Sequence, residues 1–134
     1  MKTEPVSFAK KVALFNRAAL FNGLSPRALR DLAELARSKH YEKKEIVFPS
    51  QTPCDAFTLV EQGLVRVYRY SATGKRLTYL LAGPGEPLNL VGPFTGAPRD
   101  YMAEASSVST IVSIERKAFT EFAFSHPQLI ITII

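Results

Sequence analysis

The chain has 134 residues, 46% hydrophobic and 22% charged, which is enough for one domain with an ordinary core and too little for a second. Seventeen Lys and Arg against twelve Asp and Glu leave a net charge of +5, but residues 1–50 hold ten basic and five acidic side chains and residues 51–134 seven of each, which argues against a uniformly basic nucleic-acid surface. The single cysteine, Cys54, excludes an internal disulfide and an all-cysteine metal or iron–sulfur site, the charge-broken N-terminus is no secretory signal, and no apolar run approaches the ~20 residues of a bilayer span, so a soluble cytoplasmic domain with no membrane partner is expected.

Residues 6 to 37 read as two short helices. Phe8, Val12, Phe15 and Ala19 form a weak apolar stripe ending at Asn22-Gly23. Ser25-Pro26 then supplies a cap with proline in the first turn, followed by Leu29, Leu32, Ala33, Leu35 and Ala36 at helical spacing. The basic series Lys10, Lys11, Arg17, Arg27, Arg30, Arg37 and Lys39 is read as a solvated outer face of these helices. From residue 40 the pattern changes to short β-branched and aromatic runs: Ile46-Val47-Phe48, Phe57 to Val60, Leu64 to Tyr70, Leu77 to Leu81 and Ser109 to Ile114. Pro49, Pro53, Gln62-Gly63, Ala72-Thr73-Gly74, Gly83-Pro84-Gly85 and Gly92-Pro93 punctuate them. Evenly spaced short strands of this kind suggest a β-sandwich or barrel. In Leu64 to Tyr70, alternation puts Val65 and Val67 on one face and Arg66, Tyr68 and Tyr70 on the other.

Helical spacing returns over Arg116 to Phe124, and Ser125-His126-Pro127 reads as a cap with proline just inside the next start. Gln128 to Ile134 ends on isoleucines with no polar face and no C-terminal cap. Such a run needs a cover, so the expectation is a chain truncated from a longer one, or a segment that meets a partner helix.

Together these pieces resemble the N-terminal sensory domain of CRP/FNR-type transcription regulators, the cyclic-nucleotide-binding fold. The stretches that carry the resemblance are Leu20-Phe21-Asn22-Gly23-Leu24-Ser25, Glu42 to Phe48, Phe57 to Tyr68 with Gln62-Gly63, Gly83-Pro84-Gly85-Glu86, Gly96-Ala97-Pro98-Arg99, and Ala118-Phe119 followed by His126-Pro127. The fold this implies is mainly β with flanking helices, a double-stranded β-helix or jelly-roll barrel. It also implies a sensory domain over residues 1–126, the first turns of a dimerisation helix over 127–134, and a DNA-binding domain absent from this chain. The homodimer seam would then carry Leu129, Ile130, Ile133 and Ile134, and DNA would be met only through the missing part.

In cyclic-nucleotide-binding members of this family, a short cassette supplies a carboxylate to the ribose and an arginine with a hydroxyl to the cyclic phosphate. Here the cassette runs from Leu88 to Tyr101, and Leu88, Asn89, Leu90, Val91, Phe94, Arg99, Asp100 and Tyr101 are the candidate ligand-binding residues. The resemblance keeps the arginine, Arg99, whose fork suits an anion. It puts Leu90 where the ribose-binding Glu would be, Asp100 where Ser or Thr would be, and Asn89 where a glycine would allow close approach. A ribose hydroxyl left unpaired costs about 1–3 kcal/mol, and Asp100 would repel a phosphate or neutralise Arg99 directly. Together the changes amount to several kcal/mol, on the order of a thousandfold in affinity.

The resemblance therefore implies a small-molecule effector other than ordinary cyclic AMP, with a true cyclic-nucleotide site in a degenerate cassette and a ligand-free adaptor as the alternatives. Haem, another group held by relatives, has only His40, Cys54 and His126 as axial candidates, none within a motif. One cysteine cannot hold an iron–sulfur cluster. No histidine lies between residues 41 and 125, and there is no Gly-x-Ser-x-Gly or Gly-Lys-Ser/Thr, so no metal site and no enzyme is expected.

Overall fold

The computed structural model describes residues 5–89 and 92–133. Helix α1 (Phe8–Arg17) starts where the Ser7 hydroxyl accepts from the Lys10 amide at 3.2 Å. A single 3-10 turn, Ala19–Phe21, leads to helix α2 (Pro26–Leu35), whose cap Ser25 accepts from the Ala28 amide at 3.1 Å with proline in the first turn. Both predicted helices form.

The helical pattern stops one residue earlier than its spacing implies, because strand β1 (Ala36–Tyr41) begins directly after α2. Arg37 and Lys39 therefore lie on a strand, not on a helix face, as does His40, whose Nδ1 pairs with the Thr110 hydroxyl at 2.9 Å. The strand was hidden because only its ends, Ala36 and Tyr41, are buried. An edge strand with so few apolar contacts gives no period-2 signal. Strands β2 (Ile46–Phe48), β3 (Ala56–Gln62), β4 (Val65–Tyr70) and β5 (Arg76–Ala82) follow, then a short helix α3 (Gly92–Thr95), strands β6 (Met102–Ala105) and β7 (Ser109–Glu115), and helices α4 (Arg116–Phe124) and α5 (Pro127–Ile133). Strand β6 was also hidden, since Met-Ala-Glu-Ala has neither β-branching nor aromatics.

The strands form two antiparallel sheets, ordered β1-β7-β3 and β2-β6-β4-β5, packed as a jelly-roll-like sandwich. Of the sandwich or barrel that the strand spacing suggests, the sandwich forms: the hydrogen-bonded ladders of the described residues do not close into a barrel. The first sheet contributes apolar side chains to two clusters, one on each face. Phe57, Leu59, Val112 and Ile114 meet the helices through Phe15, Phe21, Leu32 and Phe119, while Val60 and Ile111 face the second sheet with Tyr41, Phe48, Val65 and Val67. Period-2 alternation along β3 and β7 divides the core in this way. Between β3 and β4 the chain turns at Gly63, whose φ is +95° and whose Cβ, if present, would lie 2.7 Å from Ser109 Cα.

The β4–β5 ladder slips between Val67 and Tyr68, which pair with Leu80 and Thr78, so Tyr79 is the extra residue of a bulge. At the chain's end Leu129 is buried in the helical core, Ile130 and Ile133 pack partly against it, and Ile131 is 73% exposed. Ile134 lies outside the described residues. Among the described residues no helix is long and apolar enough to cross a membrane.

Candidate functional site

The cassette is anchored to β3 before it turns. Gly85 donates to Val60 O at 2.8 Å, Val60 donates to Glu86 O at 3.1 Å and Leu88 donates to Thr58 O at 3.1 Å. Leu88 is buried against the sandwich interior. Asn89 fastens the start of α3 by accepting from the Gly92 amide at 3.0 Å, and its Nδ2 lies 3.7 Å from Cys54 Sγ. Gly92 is needed there, because a Cβ would come within 2.7 Å of Cys54 Sγ. Cys54 itself is buried.

Phe94 turns toward the helices. Its ring lies 5.9 Å from Phe119 and 6.3 Å from Phe124, both on α4, and Arg116 Nε donates to Pro93 O at 2.8 Å. The cassette is thus tied to α4 by an aromatic contact and a charge-assisted hydrogen bond.

After α3 the chain pairs with the loop between β2 and β3. Cys54 donates to Ala97 O at 3.3 Å, Arg99 donates to Thr52 O at 2.9 Å, and Gln51 donates to Arg99 O at 2.6 Å. This pairing sets the direction of Arg99. Its guanidinium lies over the Phe48 ring at 4.0 Å, donates to Thr52 Oγ1 at 3.2 Å and stands 3.8 Å from Asp55 Oδ1. The carboxylate that meets Arg99 is therefore Asp55, not the adjacent Asp100.

Asp100 and Tyr101 line a different cavity of about 450 Å3 with Val67, Tyr79, Leu80, Pro87, Leu88 and Asn89. Tyr101 meets Tyr79 and Phe48 edge-on, at 5.8 and 6.0 Å. Burial first, and then the Cys54 thiol, raise its phenol above the ordinary value, so it stays protonated at neutral pH. Among the described residues lining this cavity, Asp100 carries the only charge.

Of the eight candidates, Leu88, Asn89, Asp100 and Tyr101 come together in this cavity, Phe94 packs on α4, Arg99 faces Thr52 and Asp55, and Leu90 and Val91 lie outside the described residues. Sequence reasoning missed Val67, Leu80, Pro87 and above all Tyr79, which only the bulge in β5 re-aims. The three haem-ligand candidates sit on separate segments: His40 on β1, Cys54 before β3, and His126 between α4 and α5, where its Nδ1 lies 2.9 Å from Phe122 O.

Comparison with known proteins agrees with this architecture. The model of the cyclic nucleotide-binding domain family matches residues 38–126. The nitrogen fixation regulation protein FixK of Bradyrhizobium diazoefficiens is 26% identical over 113 residues, 84% of this chain and 46% of that protein. A CRP-like cAMP-activated global transcriptional regulator of Mycobacterium tuberculosis is 23% identical over 113 residues, 84% of this chain and 50% of that one. The chain spans about half the length of these relatives. The sensor domain of the transcriptional regulator DNR from Pseudomonas aeruginosa superposes with a TM-score of 0.82 at 21% identity, over 95% of this chain and 87% of that domain.

Proposed function

The chain belongs to the cyclic nucleotide-binding domain family, and from that premise we propose that it is the effector-sensing half of a CRP/FNR-type transcription regulator whose ligand is not an ordinary cyclic nucleotide. One observation carries the second part. The cassette cavity presents the Asp100 carboxylate and aromatic walls, while Arg99, the cation a cyclic phosphate would need, is engaged with Phe48, Thr52 and Asp55. A phosphodiester there would meet like charge and no donor fork. An uncharged or cationic effector with an apolar or aromatic body suits Tyr79, Leu80, Leu88 and Tyr101 instead.

A true cyclic-nucleotide site is the alternative, favoured by the cAMP-activated relative. It requires Arg99 to leave Phe48 and Thr52, giving up a cation–π contact and a hydrogen bond worth about 1–3 kcal/mol together. Signalling would run from the cassette through Phe94 and Arg116 to α4, and on to α5, which in this reading would be the start of a dimer helix. The ligand then acts by favouring one packing of α3 on α4 over another. DNA contact and the dimer belong to the longer regulator of which this chain would be the sensor.

Calorimetric titration with cyclic AMP is the test. The expected result is no saturable binding in the micromolar range. Micromolar binding that Arg99→Ala abolishes would overturn the reading and restore the alternative.

A further inference from the structure

Arg99 is the most deeply buried charge among the described residues, with 6% of its surface exposed, and its counter-charge is poor. Asp55 reaches it only at 3.8 Å from a side chain that is 88% exposed. Arg99 Nε is buried without a partner among the described residues. A guanidinium taken out of water normally has its donors satisfied and its charge matched, so this one is left short on both counts.

It does not face closed protein. Arg99 lines a cavity of about 570 Å3 between the inner face of the first sheet and strand β2, which is separate from the cassette cavity. Lys39 brings a second cation to the rim, its Nζ 5.2 Å from the centre of the Tyr41 ring. Thr52, Thr58 and Ser113 offer hydroxyls, and Val47, Pro49 and Ile111 supply apolar wall. Two cations, several hydroxyls and one loosely held, outward-lying carboxylate define a space that favours an anion with a small apolar body.

We propose that this cavity is a second ligand site, which takes a small organic carboxylate whose head displaces Asp55 from Arg99. A planar carboxylate is favoured over a phosphate because Asp55 already places that same group toward the guanidinium edge. The site shares no lining residue with the cassette cavity, but it uses the same Arg99 that the cyclic-nucleotide alternative would need, so the two cannot be filled through that side chain at once.

Benzoate is the probe, titrated into the 15N-labelled chain at constant ionic strength, with inorganic phosphate in a parallel titration. The expected result is a saturable shift of the Arg99 Nε–H signal and of the Thr52 and Ser113 amides, with a dissociation constant on the order of millimolar. Asp55→Asn removes the competing carboxylate and should tighten binding about twofold to fivefold. Arg99→Lys, which keeps the charge and loses the fork, should weaken it about tenfold or more. Phosphate should bind more weakly than benzoate. The proposal is overturned if Asp55→Asn shows no saturable shift at Arg99 Nε–H, if Arg99→Lys binds benzoate unchanged, or if phosphate binds as tightly. Shifts confined to Leu88, Asn89 and Tyr101 would also overturn it while leaving the cassette cavity as the binding site.

Discussion

Tyr68 lies outside the sandwich core yet is almost fully buried, because Arg76 covers its ring at 4.3 Å and Glu104 accepts its hydroxyl proton at 3.0 Å. Burial, followed by the hydrogen bond and charge of Glu104, pushes the phenol from 10.0 up to about 12. Between those values the folded chain keeps a proton that the unfolded chain has released, so Tyr68's contribution falls by about 1.4 kcal/mol per pH unit. That contribution is whole below about pH 10 and gone above about pH 12. Tyr68→Phe is expected to flatten this part of the alkaline decline and to cost roughly 1 kcal/mol at neutral pH for the lost hydrogen bond. Urea unfolding at neutral pH and near pH 11 measures both. Arg99 marks the limit of what single residues disclose. Its presence in the cassette was legible, but its direction was not. Its partners Thr52 and Asp55 come from a loop more than forty positions away. Asp100 was the obvious partner by adjacency, yet consecutive side chains on extended backbone leave opposite faces.

At the scale of elements, the strongest signals were caps and turns. Ser25 and Pro26 start a helix where their chemistry says they should, and Gly74 closes the β4–β5 turn at φ +84° by donating to Ser71 O at 2.9 Å. Strands β1 and β6 were invisible because their burial is supplied by neighbours rather than by their own composition. The coupling of α3 to α4 was equally hidden, since Phe94 looked like cavity lining until its contacts with Phe119 and Phe124 placed it. Phe94→Ala should cost about 1–3 kcal/mol, because the ring is only partly buried, whereas Phe119→Ala should cost about 3–5 kcal/mol. Phe119 is fully buried and stacks on Phe57 at 4.3 Å. Denaturant midpoints for the two variants should separate in that order, and equal losses would contradict the packing described.

For the whole molecule, α5 is the element that would carry a message outward, and its residues divide into two kinds. Leu129 belongs to the chain's own core, so Leu129→Ala should lower stability by about 2–5 kcal/mol whatever the oligomeric state. Ile131 projects into solvent at 73% exposure. Ile131→Arg should leave the fold's stability within about 0.5 kcal/mol and, if α5 pairs with a second copy as proposed, weaken self-association of the protein. Sedimentation of that protein reads the second effect and thermal unfolding the first. The sheet with β7 at its centre has a consequence of another kind, in time rather than in space. That central strand lies between β1 and β3, with the helical cluster on one face and the cluster shared with the second sheet on the other. Its amides are held by ladders to β1 and β3, so they reach solvent only when those ladders open, whereas the helical side and the cassette side can each breathe without the other. Hydrogen exchange should be slowest along Val112 and its neighbours in β3, and faster in α5 and at the outer strand β5. An effector that stiffens the cassette side would then slow exchange in β4 and β5 and leave the α1–α2 side at its own pace.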